Sequence, residues 1–264
     1  MVAIVRDSFY KQGVLASLRV MDHERSGEVI STLHYEQIDS LKICGEVGKI
    51  LLSEEGIQMR VRDFETIEGN KSLGDVIINA YLHLICEHYS ITSGTKIARI
   101  ESFVARRIVD SHYDPCIAKA PISRRSLFEY DLVLVPIEKC LNWCLVVVDI
   151  RDKILFLYDC NHVKRSYYLD AILDHMDACH RYHYGQPLKK DEWIGLVKTR
   201  AGRTKHYKNE IDSGVFVCAY AEHISADCKL KFFHEFTRHY REKIFVSLFN
   251  KSIWMPKSSE FVSS

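Results

Sequence analysis

Three apolar runs in close succession constrain this chain more than any other feature: DLVLVPI (131–137), NWCLVVVDI (142–150) and KILFLYD (153–159). Each is too short for a typical helix, rich in β-branched or aromatic residues, and nearly continuous in its hydrophobicity. Strands covered on both faces read this way, because neither side of the pleat meets water. The polar pair Arg151 and Asp152 separates the last two runs and predicts a tight hairpin. A largely buried, mostly antiparallel sheet is therefore expected at the centre of the fold.

On either side of these runs the hydrophobic period changes to that of helices. SLGDVIINAYLHLICEHY places Ile77, Tyr81, Leu84 and Ile85 on one helical face, with Asp75 near the start, where a carboxylate suits the exposed N–H groups. SYYLDAILDHMDACHRYH does the same with Leu169, Ile172, Leu173 and Met176, and SGVFVCAYAEHIS with Val215, Cys218, Ala219 and Ile224. KFFHEFTRHYREKIFVSLF repeats the pattern through Phe233, Phe236, Tyr240 and Ile244, with RHYREK reading as a solvated face. Before all of these, KILLSEEGIQMRV reads as two short strands around an EEG turn, an edge hairpin. The order helix, sheet, helices gives an α+β domain over residues 48–264, and residues 1–47 are a weakly patterned N-terminal extension of unassigned role.

Charge and cysteine usage narrow the function classes. With 36 basic and 35 acidic residues, a formal net charge of +1 gives no overall attraction to nucleic acid or to an acidic membrane surface. No apolar run reaches the length of a membrane span, and MVAIVRDSFY lacks the apolar core of a secretory signal. The nine cysteines are an odd number and several lie inside apolar runs, so reduced thiols in the nucleus or cytoplasm are expected. There is no CxxC pair, and His175, Cys179, His180 and His183 lack a second half-site, so neither a metal nor any other cofactor is expected.

The chemistry concentrates in EIDSGVFVCAYAEHIS. Asn142 and Trp143 begin one central strand, Asp159 ends the next, and Ser213 opens the helix that follows. A helix N-terminus stabilises a thiolate or an oxyanion, so nucleophiles favour such a position. The plainer reading, favoured here, is that Ser213 caps its helix beside Asp212 and Gly214. Cys218 falls more than one turn further on and reads as core.

Taken together, RDFETIEGNKSLGDVIINAYLHLI, DLVLVPIEKCLNWCLVVVDIRDKILFLYDC, EIDSGVFVCAYAEHIS and FTRHYREKI, in this order from about Leu51 to Trp254, resemble the Ulp/SENP group of ubiquitin-like protein proteases. The resemblance implies a papain-like cysteine peptidase fold and a triad of histidine, aspartate and cysteine. It also implies a glutamine that helps hold the oxyanion, and a ligand that is SUMO or another ubiquitin-like modifier. The histidine position, directly before the hairpin tryptophan, is Asn142; the aspartate is Asp159; the cysteine position is Ser213. The glutamine position is Tyr207, and the tryptophan of the family's WLND-like segment, which helps enclose the substrate tail, is matched by Ser72. Trp143, the other tail-enclosing tryptophan, is retained.

A serine hydroxyl is a poor nucleophile without a general base, and an asparagine amide does not act as one. The resemblance with these replacements implies a pseudoprotease that binds a ubiquitin-like modifier or a complex partner. The alternative is an active SUMO-specific peptidase in which Ser213 stands where the natural chain has cysteine. His162 and His206 read as surface histidines, and Cys144 and Cys160, each next to a site position in sequence, point by strand alternation to the opposite face.

Overall fold

The computed structural model describes residues 38, 48, 50–54, 56–68, 71–110, 125–140, 142–159, 166–199, 211–228, 230 and 237–254. Strands β1 (Ile50–Glu54) and β2 (Ile57–Arg60) form the expected antiparallel hairpin. It is a two-stranded sheet of its own, however, and not the edge of the main one. A single helical turn, Val61–Phe64, then leads towards helix α1 (Asp75–Thr92). Asp75 is its first residue, and burial runs nearly round its circumference, taking in Ile78 and Leu82 beside Ile77, Tyr81, Leu84 and Ile85. Strand β3 (Ile97–Arg99) and helix α2 (Ser102–Asp110) follow.

The three apolar runs become β4 (Leu132–Lys139), β5 (Asn142–Asp149) and β6 (Ile154–Asp159). Both of their pairings are antiparallel. Helix α3 (Tyr167–Tyr184) crosses to β7 (Ile194–Thr199), and it ends on Gly185, whose left-handed φ of +71° lets its amide reach the Arg181 carbonyl at 2.9 Å. Strand order is β3-β4-β5-β6-β7, and the two outer pairings, β3 with β4 and β6 with β7, are parallel. The sheet is thus antiparallel at its centre and mixed overall. Helices α4 (Ser213–Ser225) and α5 (Thr237–Phe249) complete the described chain; Phe233 and Phe236 lie outside the described residues.

Alternation along β5 explains why its sequence is apolar throughout. Trp143, Leu145 and Val147 enter a core shared with α1, α4 and α5, while Cys144, Val146 and Val148 enter a second core under α2 and α3. Ile38, from the segment assigned to the N-terminal extension, is buried in the first core. No helix among the described residues is long and apolar enough to cross a membrane.

The reading of RHYREK as a solvated face is overturned. Arg241 and Lys243 are buried, Arg241 against Asp212 and Lys243 against Glu222. Helical period marks which positions share a face, but it carries no sign of counter-ions lying outside the helix.

Candidate active site

The site is assembled where β5 outruns its neighbour. Strands β5 and β6 are paired from Leu145 opposite Tyr158, so the Trp143 amide, which faces the β6 side, needs a partner from elsewhere. The first turn of α4 supplies one. Ser213, the first helical residue, accepts a hydrogen bond on Oγ from the Trp143 backbone N–H at 3.0 Å. Its relative exposure is 0 %. The helix cap position belongs to Asp212, which makes no side-chain cap bond. The expectation that Ser213 caps its helix is therefore corrected: the hydroxyl ties helix to strand.

Trp143 is fixed by both of its nitrogens. Its indole Nε1–H donates to the Leu73 carbonyl at 3.1 Å, and the side chain is buried. Gly214 sits directly beneath: a Cβ there would lie 3.0 Å from Leu73 and Ile78 and 3.3 Å from the indole. The missing side chain of Gly214 lets α4 approach the Trp143 ring without pushing these neighbours aside. Ser72, next to Leu73, is half-buried at the entrance to α1.

The remaining positions divide. Asn142 begins β5, half-buried, and donates from Nδ2 to the Cys140 carbonyl at 3.2 Å, back into its own hairpin turn. Asp159 ends β6, buried, in register with Thr199 of β7. Tyr207, His162, His206 and Cys160 lie outside the described residues. Cys144 is buried in the core opposite the Trp143 face, and Cys218 is buried within α4, its thiol pushed up by burial first and by Glu222 second.

Behind the helix start stands an ion pair. Arg241 donates from Nη2 to Asp212 Oδ1 at 2.7 Å and from Nε to the same oxygen at 3.2 Å, and it also donates to the carbonyls of Thr66, Ile67 and Ile211. One guanidinium thus fastens the residue before Ser213, the segment entering α1 and α5 together. Its planar fork of donors suits this task where a lysine would not. The three-carbon stem of Arg241 lies among the buried residues of α5, and its carboxylate partner is 29 residues away in the sequence.

A match to the Ulp1 protease family, C-terminal catalytic domain, runs over residues 73–253, from Leu73 beside the Trp143 indole to the end of the described core. The chain belongs to the Ulp1 protease family. A sentrin-specific protease of Caenorhabditis elegans is 27 % identical over 198 residues, covering 75 % of this chain; the chain spans 28 % of that relative's length. Among solved structures, the C-terminal Ulp1 protease domain in complex with Smt3, the yeast ortholog of SUMO, superposes with a TM-score of 0.63 at 19 % identity, covering 78 % of this chain and 89 % of that one. The SUMO protease Ulp1 with its catalytic cysteine oxidised to a sulfonic acid superposes with a TM-score of 0.62 at 19 % identity, covering 83 % and 97 %. These likenesses establish the Ulp1 fold.

Proposed function

We propose that this member of the Ulp1 family is a pseudoprotease, which binds a ubiquitin-like modifier such as SUMO, or a partner in a complex, and does not cleave it. One observation carries the reading: Ser213 Oγ is buried and engaged as the acceptor of the Trp143 amide at 3.0 Å. A nucleophile needs a lone pair aimed at an incoming carbonyl and a base to take its proton. Here a lone pair is spent on the backbone, and the neighbouring triad position is Asn142, which binds no proton at neutral pH.

The expected consequence is loss of hydrolysis and survival of recognition. Removing triad function costs on the order of a million-fold in turnover, and a missing oxyanion donor about a hundredfold more. Binding loses less. Trp143 stays as one wall of the tail channel, Ser72 replaces the other, and an aromatic clamp that contributes about 1 to 3 kcal/mol by burial is halved. Modifier affinity in the micromolar range, carried by the broad docking face more than by the tail, is the result.

The test is turnover of fluorogenic SUMO, NEDD8 and ubiquitin substrates by the purified chain, with titration of SUMO bearing or lacking its C-terminal tail. No turnover and tail-independent micromolar binding are expected. Robust cleavage abolished by Ser213→Ala would overturn the proposal. Nanomolar binding lost on tail deletion would show a working channel instead, and binding of neither form would assign the recognition role to the complex partner.

A further inference from the structure

The two edges of the main sheet are finished differently. At one edge β3 is three residues long and lies against α1. At the other, β7 presents six residues, and from Ile194 to Lys198 every side chain is exposed. Relative exposures of 55 % at Ile194, 36 % at Leu196 and 44 % at Val197 are large for aliphatic side chains within a strand. Folded chains normally blunt an open edge with proline, a bulge, inward charges or a very short strand. Strand β7 is neither short nor interrupted by proline or a bulge, and Lys198 is its one charged residue; its register with β6 runs unbroken from Ile194 opposite Ile154 to Thr199 opposite Asp159. Among the described residues its outer edge has no strand partner.

The face above that edge is only partly covered, with the Tyr158 ring 5.3 Å from that of Tyr220 on α4. Register places Ile194, Leu196 and Lys198 beside Ile154, Phe156 and Tyr158 on one side of the sheet. The three β6 residues are only half-buried, although the same side of β5 is sealed by α4. Charge on this edge is one-signed. Lys198 lies over the Phe156 ring at 5.4 Å with no carboxylate partner among the described residues, and β7 carries no acidic side chain. In sequence β7 is followed by Arg200, Arg203, Lys205 and Lys208 before the next acid, Glu210.

We propose that β7 is a strand-addition site for an extended peptide segment of a partner, apolar at alternate positions and flanked by aspartate or glutamate. Backbone hydrogen bonds to the open edge supply affinity that is independent of sequence, as in other β-augmented complexes. Alternate apolar side chains cover Leu196 and Ile194, and the acidic flank meets Lys198. The site comprises β7 and the adjoining face of β6 and is separate from the modifier channel of Trp143. It does share a sheet end with Asp159, because Thr199 is that residue's register partner.

The test is selection from a random dodecapeptide library on the purified full chain, followed by affinity measurement and hydrogen exchange. Enriched peptides with alternating apolar residues beside acids are expected, protecting the amides of residues 194–199. Their affinity should fall about tenfold with Lys198→Glu, through lost charge complementarity, and about as far with Leu196→Ser. Both positions are exposed, so the variants fold. Enrichment of peptides without this pattern, binding indifferent to both variants, or concentration-dependent dimerisation that itself protects residues 194–199 would overturn it.

Discussion

The two ends of α4 are both buried and both polar, yet they are built for different tasks. At its start Ser213 accepts a neutral hydrogen bond on Oγ from the Trp143 amide, and the charge beside it, Asp212, is turned away to Arg241. Towards its end Glu222 accepts from Tyr81 at 2.9 Å, Tyr89 at 3.3 Å and Tyr240 at 2.8 Å, and pairs with the Lys243 ammonium. The first end is a place where side-chain chemistry can be exchanged while the backbone stays held from behind. The second is where α1, α4 and α5 are tied through one carboxylate, and there little can be exchanged.

The largest effect is expected at that second end. Glu222→Ala leaves the Lys243 ammonium buried without its counter-ion and takes the acceptor from three phenols. Removing one partner of a buried pair costs about 3 to 5 kcal/mol, and urea unfolding should show a loss of this size. A loss below about 1 kcal/mol would mean that water replaces the carboxylate, and the contrast between the two ends would dissolve.

Acid sharpens the same comparison. Burial raises the Glu222 carboxyl, but Lys243, His223 and the hydrogen bonds outweigh it and hold the group down at about 2. Its contribution is therefore complete above the ordinary carboxylate pKa and fades as pH falls towards about 2. His175 acts earlier. It is buried on α3 beside Cys179 at 3.5 Å, its Nδ1 has no hydrogen-bond partner among the described residues, and burial lowers it to about 4. The unfolded chain binds that proton near pH 6.5 and the folded one does not, so stability drops between pH 6.5 and about 4, by on the order of 3 kcal/mol. Burial also lowers His88 and His223, which adds to the loss in the range just below pH 6.5. His175→Leu should flatten much of the slope in that range and leave the steeper fall below pH 4.5 in place.

What the sequence made legible follows from where the information lies. Strands β4 and β5 were legible because burial on both faces leaves almost no polar residue in them, and β6 because it is apolar as far as Tyr158 although one face is only half-buried. Helices α1, α3 and α4 were legible from their period. Strand β7 was missed because IGLVKT is exposed on both faces and so shows neither alternation nor an apolar run, and β3 because three residues carry no period at all. At the site, candidate positions were readable from the family resemblance. The use of Ser213 was not, since its partner is a backbone amide 70 residues away, invisible to any side-chain pattern. Arg241 and Lys243 failed for a related reason: their counter-ions sit outside their own helix, at Asp212 before α4 and Glu222 within it.

Gly214 gives an intermediate effect at the first end of the helix. A methyl group there meets Leu73 and Ile78 at 3.0 Å, both in a packed core, and presses the Trp143 ring. Gly214→Ala gains helix propensity of roughly 1 kcal/mol but forces these neighbours apart, an overpacking cost of about 1 to 3 kcal/mol. A net loss of about 1 to 2 kcal/mol is expected, with a red shift in Trp143 fluorescence as the indole is displaced. An unchanged spectrum together with unchanged stability would mean that α4 does not rest on the indole.

The smallest effect is expected from Ser213→Cys, which set against Ser213→Ala splits the comparison into hydrogen bonding and volume. Ser213→Ala deletes the acceptor and leaves the Trp143 N–H buried, at a cost of about 1 to 2 kcal/mol. Ser213→Cys restores an acceptor of a different kind, with a longer Cβ–S bond and a weaker, more diffuse lone pair, inside a site now closed at 3.0 Å. Its loss should be under about 1 kcal/mol, because a sulfur atom still reaches the amide and displaces only soft neighbours. The order matters more than either value. Cysteine less damaging than alanine means that the position works as an acceptor for the backbone and tolerates the family's nucleophile without rearrangement. Alanine less damaging than cysteine would mean that the pocket has contracted around the oxygen, so that replacing Ser213 and Asn142 together with cysteine and histidine could not rebuild a thiolate in position to react.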